Sequence, residues 1–282
     1  MSHLIYLRQR INAIETIQQT TNAMRLISIS SHARLRQKKT HLERYQQEIK
    51  QFAHVLRDVR PVVATNSDDL AAPQQKTLVL IIGSQKGLCG TFNNNLITFI
   101  GKDGLLHMTT PDIIVIGRHM VDYAHKVVGS RSFKRFDDFT IANFVELSAQ
   151  LTALIEAEKY TDVYAYSNHP KTFFLQMCQK TRILPFDHPQ DTDIFSGDVK
   201  PDYKYEAEDL DALQEYIYKL TLGVSLQNVL FESLLAEQAA RFISMDAATR
   251  NAEDVLNAMK LDYNKLRQAL ITRELTDLVS GL

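Results

Sequence analysis

A chain of 282 residues, 45% hydrophobic and 23% charged, carries enough apolar material for one or two domains with a core. A formal net charge of −1 argues against nucleic-acid binding by bulk phosphate neutralisation, and two distant cysteines, Cys89 and Cys178, without CxxC or paired-histidine spacing argue against a zinc site or a disulfide framework. No apolar run reaches the roughly eighteen residues of a membrane span, and Met1 to Tyr6 lacks the layout of a signal peptide, so the expectation is a soluble cytoplasmic chain with two buried free thiols.

From Leu4 to Val59 there is neither Gly nor Pro. Leu4, Leu7, Ile11 and Ile14, then Leu35, Leu42, Ile49 and Leu56 with Tyr45, Phe52 and Val59, keep heptad spacing. This predicts an N-terminal shaft helix over 1–60, about 80 Å long, stopped by Pro61. Thr20 to His32 interrupts the stripe with hydroxyls and short side chains. It reads either as a soft coil whose serines bond back to helix carbonyls, or as a slim section that turns inside a close-fitting sleeve. A polar linker follows over 61–75.

The β-branched run Thr77 to Ile82 reads as a buried parallel strand, and Asp112 to Gly117 and Asp162 to Tyr166 repeat it. Helical stretches at Met120 to Lys126 and Ala142 to Lys159 separate them, which predicts a small doubly wound, Rossmann-like α/β domain over 76–190. After the first strand, Gly83-Ser84-Gln85-Lys86-Gly87-Leu88-Cys89-Gly90-Thr91-Phe92-Asn93 is a glycine-rich strand-to-helix loop, a type that can cradle phosphate on backbone amides. It matches neither GxxxxGK[ST] nor GxGxxG, so no direct nucleotide binding is expected. His119 and His125, six apart, do not share a helix face for a metal, and His107, His169 and His188 lack a nucleophile motif nearby. No catalytic, cofactor or metal constellation emerges.

A second linker spans 191–207, and 208–282 reads as one C-terminal shaft helix of about 100 Å. Phe242, Met245, Thr249, Ala252, Leu256, Met259, Tyr263, Leu266 and Leu270 form its a/d stripe, which needs a partner helix. Residues 1–60 hold eleven Lys/Arg against four Asp/Glu, and residues 208–282 hold seven against twelve. The fold class expected is therefore α/β: a long antiparallel coiled coil of the two terminal helices plus the doubly wound domain, with the basic end lying along the acidic one.

Glu237-Gln238-Ala239-Ala240-Arg241, Met245 to Ala252, Tyr263 to Leu275 and Val279-Ser280-Gly281 resemble the C-terminal helix of the gamma subunit of the F-type ATP synthase. Ile17 to Met24 is similar to that family's N-terminal helix, with Ser28, Ser30, Ser31 and His32 where alanines and a lysine-methionine pair are usual. Gly87-Leu88-Cys89-Gly90 with Asn93 matches its short signature after the first strand, with Gln85-Lys86 in place of an acid and arginine. The resemblance implies a non-catalytic central rotor stalk of a proton- or sodium-translocating synthase, peripheral on the cytoplasmic face of a bacterial inner membrane. Its implied partners are the alpha and beta subunits, epsilon and the c-ring. It places Met24, Arg25, Lys86, Gly87, Leu88, Cys89, Arg267, Gln268, Thr272 and Glu274 against beta, and Tyr203, Tyr205, Glu206 and Glu208 at the foot against epsilon and the c-ring. It also puts Leu282 in the top of the ring. The absence of a cysteine-bearing insertion in the α/β domain and of a transit peptide favours the bacterial form. Two other classes remain beside it: a stand-alone coiled-coil scaffold, and a small-molecule enzyme with its ligand at Gly83 to Gly90.

Overall fold

Alternation along the strands decides the layers of the molecule. In a computed structural model, which describes residues 2–59, 76–104, 110–129, 131–186 and 210–280, five strands form one sheet. The order of elements is α1 (Ser2–Val59), β1 (Thr77–Ile82), α2 (Phe92–Asp103), β2 (Asp112–Ile116), α3 (Arg118–Val128), β3 (Lys134–Phe136), α4 (Phe144–Glu158), β4 (Asp162–Pro170), β5 (Gln176–Leu184) and α5 (Leu210–Ser280). The linkers expected at 61–75 and 191–207, the four foot residues and Leu282 lie outside the described residues.

The sheet runs β3-β2-β1-β4-β5, parallel except for β5, which pairs antiparallel with β4. Val79, Ile81, Ile113, Val115 and Tyr166 point to one face, where α2 and α3 cover them with Leu96, Ile100, Met120 and Ala124. Leu78, Leu80, Ile82, Ile114, Ile116, Val163 and Ala165 point to the other, under Leu147, Leu151 and Ile155 of α4 and Leu222 to Leu235 of α5. The early part of the C-terminal helix, Leu222 to Leu235, is thus part of the sheet's core, a role its sequence stripe does not announce. The antiparallel edge strand β5 also departs from the expected parallel pattern. Its QMCQKTRIL sequence leaves most of its side chains half-buried or exposed, so it lacks the continuous apolar run of its neighbours.

Helices α1 and α5 contain 58 and 71 residues, about 87 and 106 Å at 1.5 Å per residue. They run antiparallel: Lys260 pairs with Glu15 at 2.8 Å, the Thr249 hydroxyl donates to that of Thr21 at 2.9 Å, and Arg25 pairs with Asp246 at 2.9 Å. On α5 every position of the expected stripe from Phe242 to Leu270 is buried or half-buried. On α1 the inward positions are Leu4, Leu7, Ile11, Ile14, Gln18, Thr21, Arg25, Ser28, His32, Leu35, Lys39, Leu42, Gln46 and Ile49. Tyr45 and Phe52, expected on the stripe, are exposed instead, because the inward step from Leu42 is four residues to Gln46 rather than three. The polar stretch keeps the heptad and turns it inside out: Gln18, Thr21, Arg25, Ser28 and His32 face α5, while Ile17, Leu26 and Ile27 are 54%, 55% and 64% exposed. Ser28 Oγ donates to the Met24 carbonyl at 2.8 Å, the back-bonding expected of a hydroxyl in a helix.

The charge asymmetry of the two ends is not spent mainly between them. Among the described residues, one of the two ion pairs between α1 and α5 puts the base on α5, and Lys39–Glu43, Arg44–Glu48 and Arg250–Asp246 close within a helix. Exposed pairs of this kind contribute at most about 1 kcal/mol. The firmer tie is Leu35, fully buried in the sheet-side core with Leu42 beside it. Leu35→Ala is expected to cost about 3 kcal/mol in denaturant unfolding, against less than about 0.5 kcal/mol for the exposed Lys38→Ala.

Candidate functional site

The loop after β1 is fixed residue by residue. Gly83 donates to the Ile116 carbonyl at 2.9 Å, and a Cβ on it would lie 2.5 Å from Met120, so α3 packs directly on bare backbone. Ser84 and Asn93, both buried, exchange hydrogen bonds: Ser84 N–H donates to Asn93 Oδ1 at 3.0 Å, and Asn93 Nδ2 to Ser84 Oγ at 2.8 Å. Gln85 Oε1 accepts from the Phe139 amide at 3.1 Å.

Helix α5 then grips the loop from outside the sheet. Glu237 and Arg241, one turn apart and 2% and 6% exposed, form a buried ion pair. Arg241 Nε donates to the Gly87 carbonyl and Nη2 to the Lys86 carbonyl, each at 3.2 Å, while Glu237 Oε2 accepts from the Gln85 amide at 3.2 Å. Leu88 follows with φ +63° and its side chain 55% exposed. Cys89 turns inward against Phe92, Ala236 and Ala240, and burial pushes its thiol pKa up.

This geometry sorts the residues expected to meet a partner. Lys86 and Leu88 project, Gly87 is half-buried, and Cys89 packs the loop onto α5, out of a partner's reach. Cys178, expected buried, is only half-buried on β5, where its thiol donates to Asn168 Oδ1 at 3.2 Å. Met24 is exposed, whereas Arg25 is engaged by Asp246 and by Asn22 at 2.9 Å. A groove of about 450 Å³, lined by Gln18, Asn22, Arg25, Asp246, Thr249 and Glu253 among others, opens between the helices there. Arg267, Gln268, Thr272 and Glu274 are all exposed. They lie 26 or more residues beyond Arg241 on one helix, about 39 Å along it. The expected contacts therefore stand at separate levels of a shaft and do not converge on one centre.

Sequence reasoning missed two features. The Glu237–Arg241 pair is visible as an acid and a base at i, i+4 flanked by alanines, a signal that usually marks a solvated helix face. The other is Phe173, at the β4–β5 turn, whose ring meets His32 edge-on at 4.8 Å and Phe242 at 5.2 Å, tying the sheet to both helices. Burial and the Arg36 charge hold the His32 imidazole below its usual pKa, so this contact is made by the neutral ring at pH 7. His169 pairs with Glu232 at 2.8 Å. Among the described residues no His, Cys, Asp and Glu cluster could hold a metal, and no helix is long and apolar enough to cross a membrane.

Comparison with known proteins gives one answer over the whole length. The family described as ATP synthase matches residues 3–282. The chain is 28% identical to the ATP synthase gamma chain of Granulibacter bethesdensis, covering 100% of this chain and 99% of that one. It is 30% identical to that of Chlorobium limicola, covering 98% and 96%. Among solved structures, a chain of the Euglena gracilis mitochondrial ATP synthase, in an assembly of OSCP, F1 and c-ring, shares the fold with TM-score 0.68 at 16% identity, covering 99% of this chain and 93% of that one. A chain of the Tetrahymena thermophila central stalk and c-ring does so with TM-score 0.54 at 17% identity, covering 81% and 99%. The chain therefore belongs to the ATP synthase family, with the gamma chains that form the non-catalytic central stalk of the rotary enzyme.

Proposed function

We propose that the chain works as the rotor of a proton- or sodium-translocating synthase on the cytoplasmic face of a bacterial inner membrane. Its terminal helices form an antiparallel coiled coil inside a ring of alpha and beta subunits, and its foot meets epsilon and the c-ring through Tyr203, Tyr205, Glu206 and Glu208. What supports this most is the helix pair: beyond Met245, α5 pairs with α1 at Arg25, Thr21 and Glu15. The pair's outward surface still carries apolar side chains, among them Ile17, Ile27, Leu261 and Leu275. A surface of that kind needs surroundings that bury it.

The mechanism is differential contact. One asymmetric rod inside three equivalent catalytic sites touches each differently, and an affinity shifts only as far as those contacts differ. Rotation then carries each site through the same series of unequal affinities. Met24, Arg25, Lys86 and Leu88 would act at the lower levels, and Arg267, Gln268, Thr272 and Glu274 toward the tip.

A tagged chain is expected to bring down alpha and beta subunits. Arg267→Ala/Gln268→Ala in the reconstituted complex is expected to keep that association while ATP-driven ion pumping falls about tenfold, equivalent to about 1.4 kcal/mol. Unchanged pumping would show that these residues do not contact beta as proposed. A chain that self-associates and brings down no ring subunit would be the stand-alone scaffold instead.

A further inference from the structure

Helix packing does not account for where the Glu237–Arg241 pair sits. In an open sheet the ligand crevice lies beyond the carboxyl ends of the strands where the order reverses, here between β1 and β4. In this chain that crevice is filled from within. The Glu237 carboxylate occupies the position of an anion on the loop, accepting from the Gln85 amide, and Arg241 holds the next two carbonyls. Three consecutive residues of loop backbone are bonded to one turn of the shaft helix.

We propose that this pair is a latch: Glu237 and Arg241 are positioning residues that fix loop 85–88 to α5, so that a push on Lys86 or Leu88 reaches the shaft directly rather than through the sheet. The inference rests on the rotor reading above. Three observations carry it. A buried ion pair is a poor stabiliser compared with apolar side chains of the same volume, so the pair's value lies in what it holds. The guanidinium is a rigid planar fork, and here it spans two successive carbonyls, a geometry that a lysine cannot copy. Leu88, immediately beyond the grip, is a branched residue in the left-handed region with its side chain outward, a conformation that persists where its surroundings impose it.

The test uses the whole complex carrying Glu237→Leu/Arg241→Met, a replacement of the pair by apolar residues of similar volume. The readings are co-purification with the ring, amide hydrogen exchange at residues 85–88, and ions pumped per ATP hydrolysed in vesicles. The expected result is parental assembly, faster loop exchange and a pumping ratio lowered roughly tenfold, the scale on which a small misplacement of a contact is felt. Parental exchange would show that the pair does not hold the loop, and faster exchange with a parental ratio would show that the hold transmits nothing. Either overturns the latch. If the double variant does not assemble, the same readings on Arg241→Lys decide: this variant keeps a charge opposite Glu237 but can hold only one of the two carbonyls. A ratio below parental then supports the latch, and a parental one overturns it. Failure of the rotor reading would look different, because the parent chain itself would neither join the ring nor support pumping.

Discussion

Arg241→Met made alone should lower the unfolding free energy by about 3–5 kcal/mol, the cost of leaving a buried charge without its partner. Glu237 would remain at 2% exposure with the Gln85 amide as its remaining bond to the loop, and the Lys86 and Gly87 carbonyls would each lose a donor. Changing Glu237 to Leu as well removes the stranded carboxylate, so the double variant should recover most of the loss. Denaturant unfolding of the parent, Arg241→Met, Glu237→Leu and the double variant measures this directly. If the double variant were as unstable as the sum of its single changes, the two side chains would not be acting as a pair.

Gly117→Ala is the second large effect. Gly117 follows β2 at φ +100°, and a Cβ there would lie 2.7 Å from the Gly83 carbonyl oxygen and 2.8 Å from that of Ser84. Neither strand end can move aside cheaply. Gly83 donates to Ile116 and Gly117 to Phe136, each at 2.9 Å, and the His119 amide donates to the Ser84 carbonyl at 3.2 Å. Backbone strain and overlap together should cost about 3 kcal/mol or more, visible as a large fall in melting temperature. Gly101→Ala is the matched control, since it lies within α2 and an added Cβ meets nothing within 4 Å. It should raise stability by about 0.5–1 kcal/mol.

Most of the architecture is legible in the sequence because two signals are strong. Thr77 to Ile82 and Asp112 to Ile116 are uninterrupted apolar strands, and both matched the structure nearly to the residue. Heptad spacing located the α5 stripe from Phe242 to Leu270, because the apolar or small side chains there recur in alternating steps of three and four. The same rule misplaced Tyr45 and Phe52, since size alone does not separate a three-residue step from a four-residue step when Gln46 takes the inward place. Strand β5 and the Phe173 contact were hidden because long-range packing, not local pattern, buries them. At the loop, glycines and a basic residue gave its place and kind. That its anion position is taken by Glu237, 152 residues on in the chain, is fixed only by the crossing of α5 over the strand ends.

The inside-out stretch of α1 bears on how such a chain can be handled and built. With Gln18, Thr21, Arg25, Ser28 and His32 inward, the two helices gain little from each other there, and Ile17, Leu26 and Ile27 are left facing outward. Free in solution, this segment has its greasier side in water and its hydrogen-bonding side in the seam. A host that covered the outer side would add to its cohesion, so that folding of this stretch and insertion into such a host would be coupled. A purified chain should accordingly be lost to clumping sooner than its melting temperature alone would indicate.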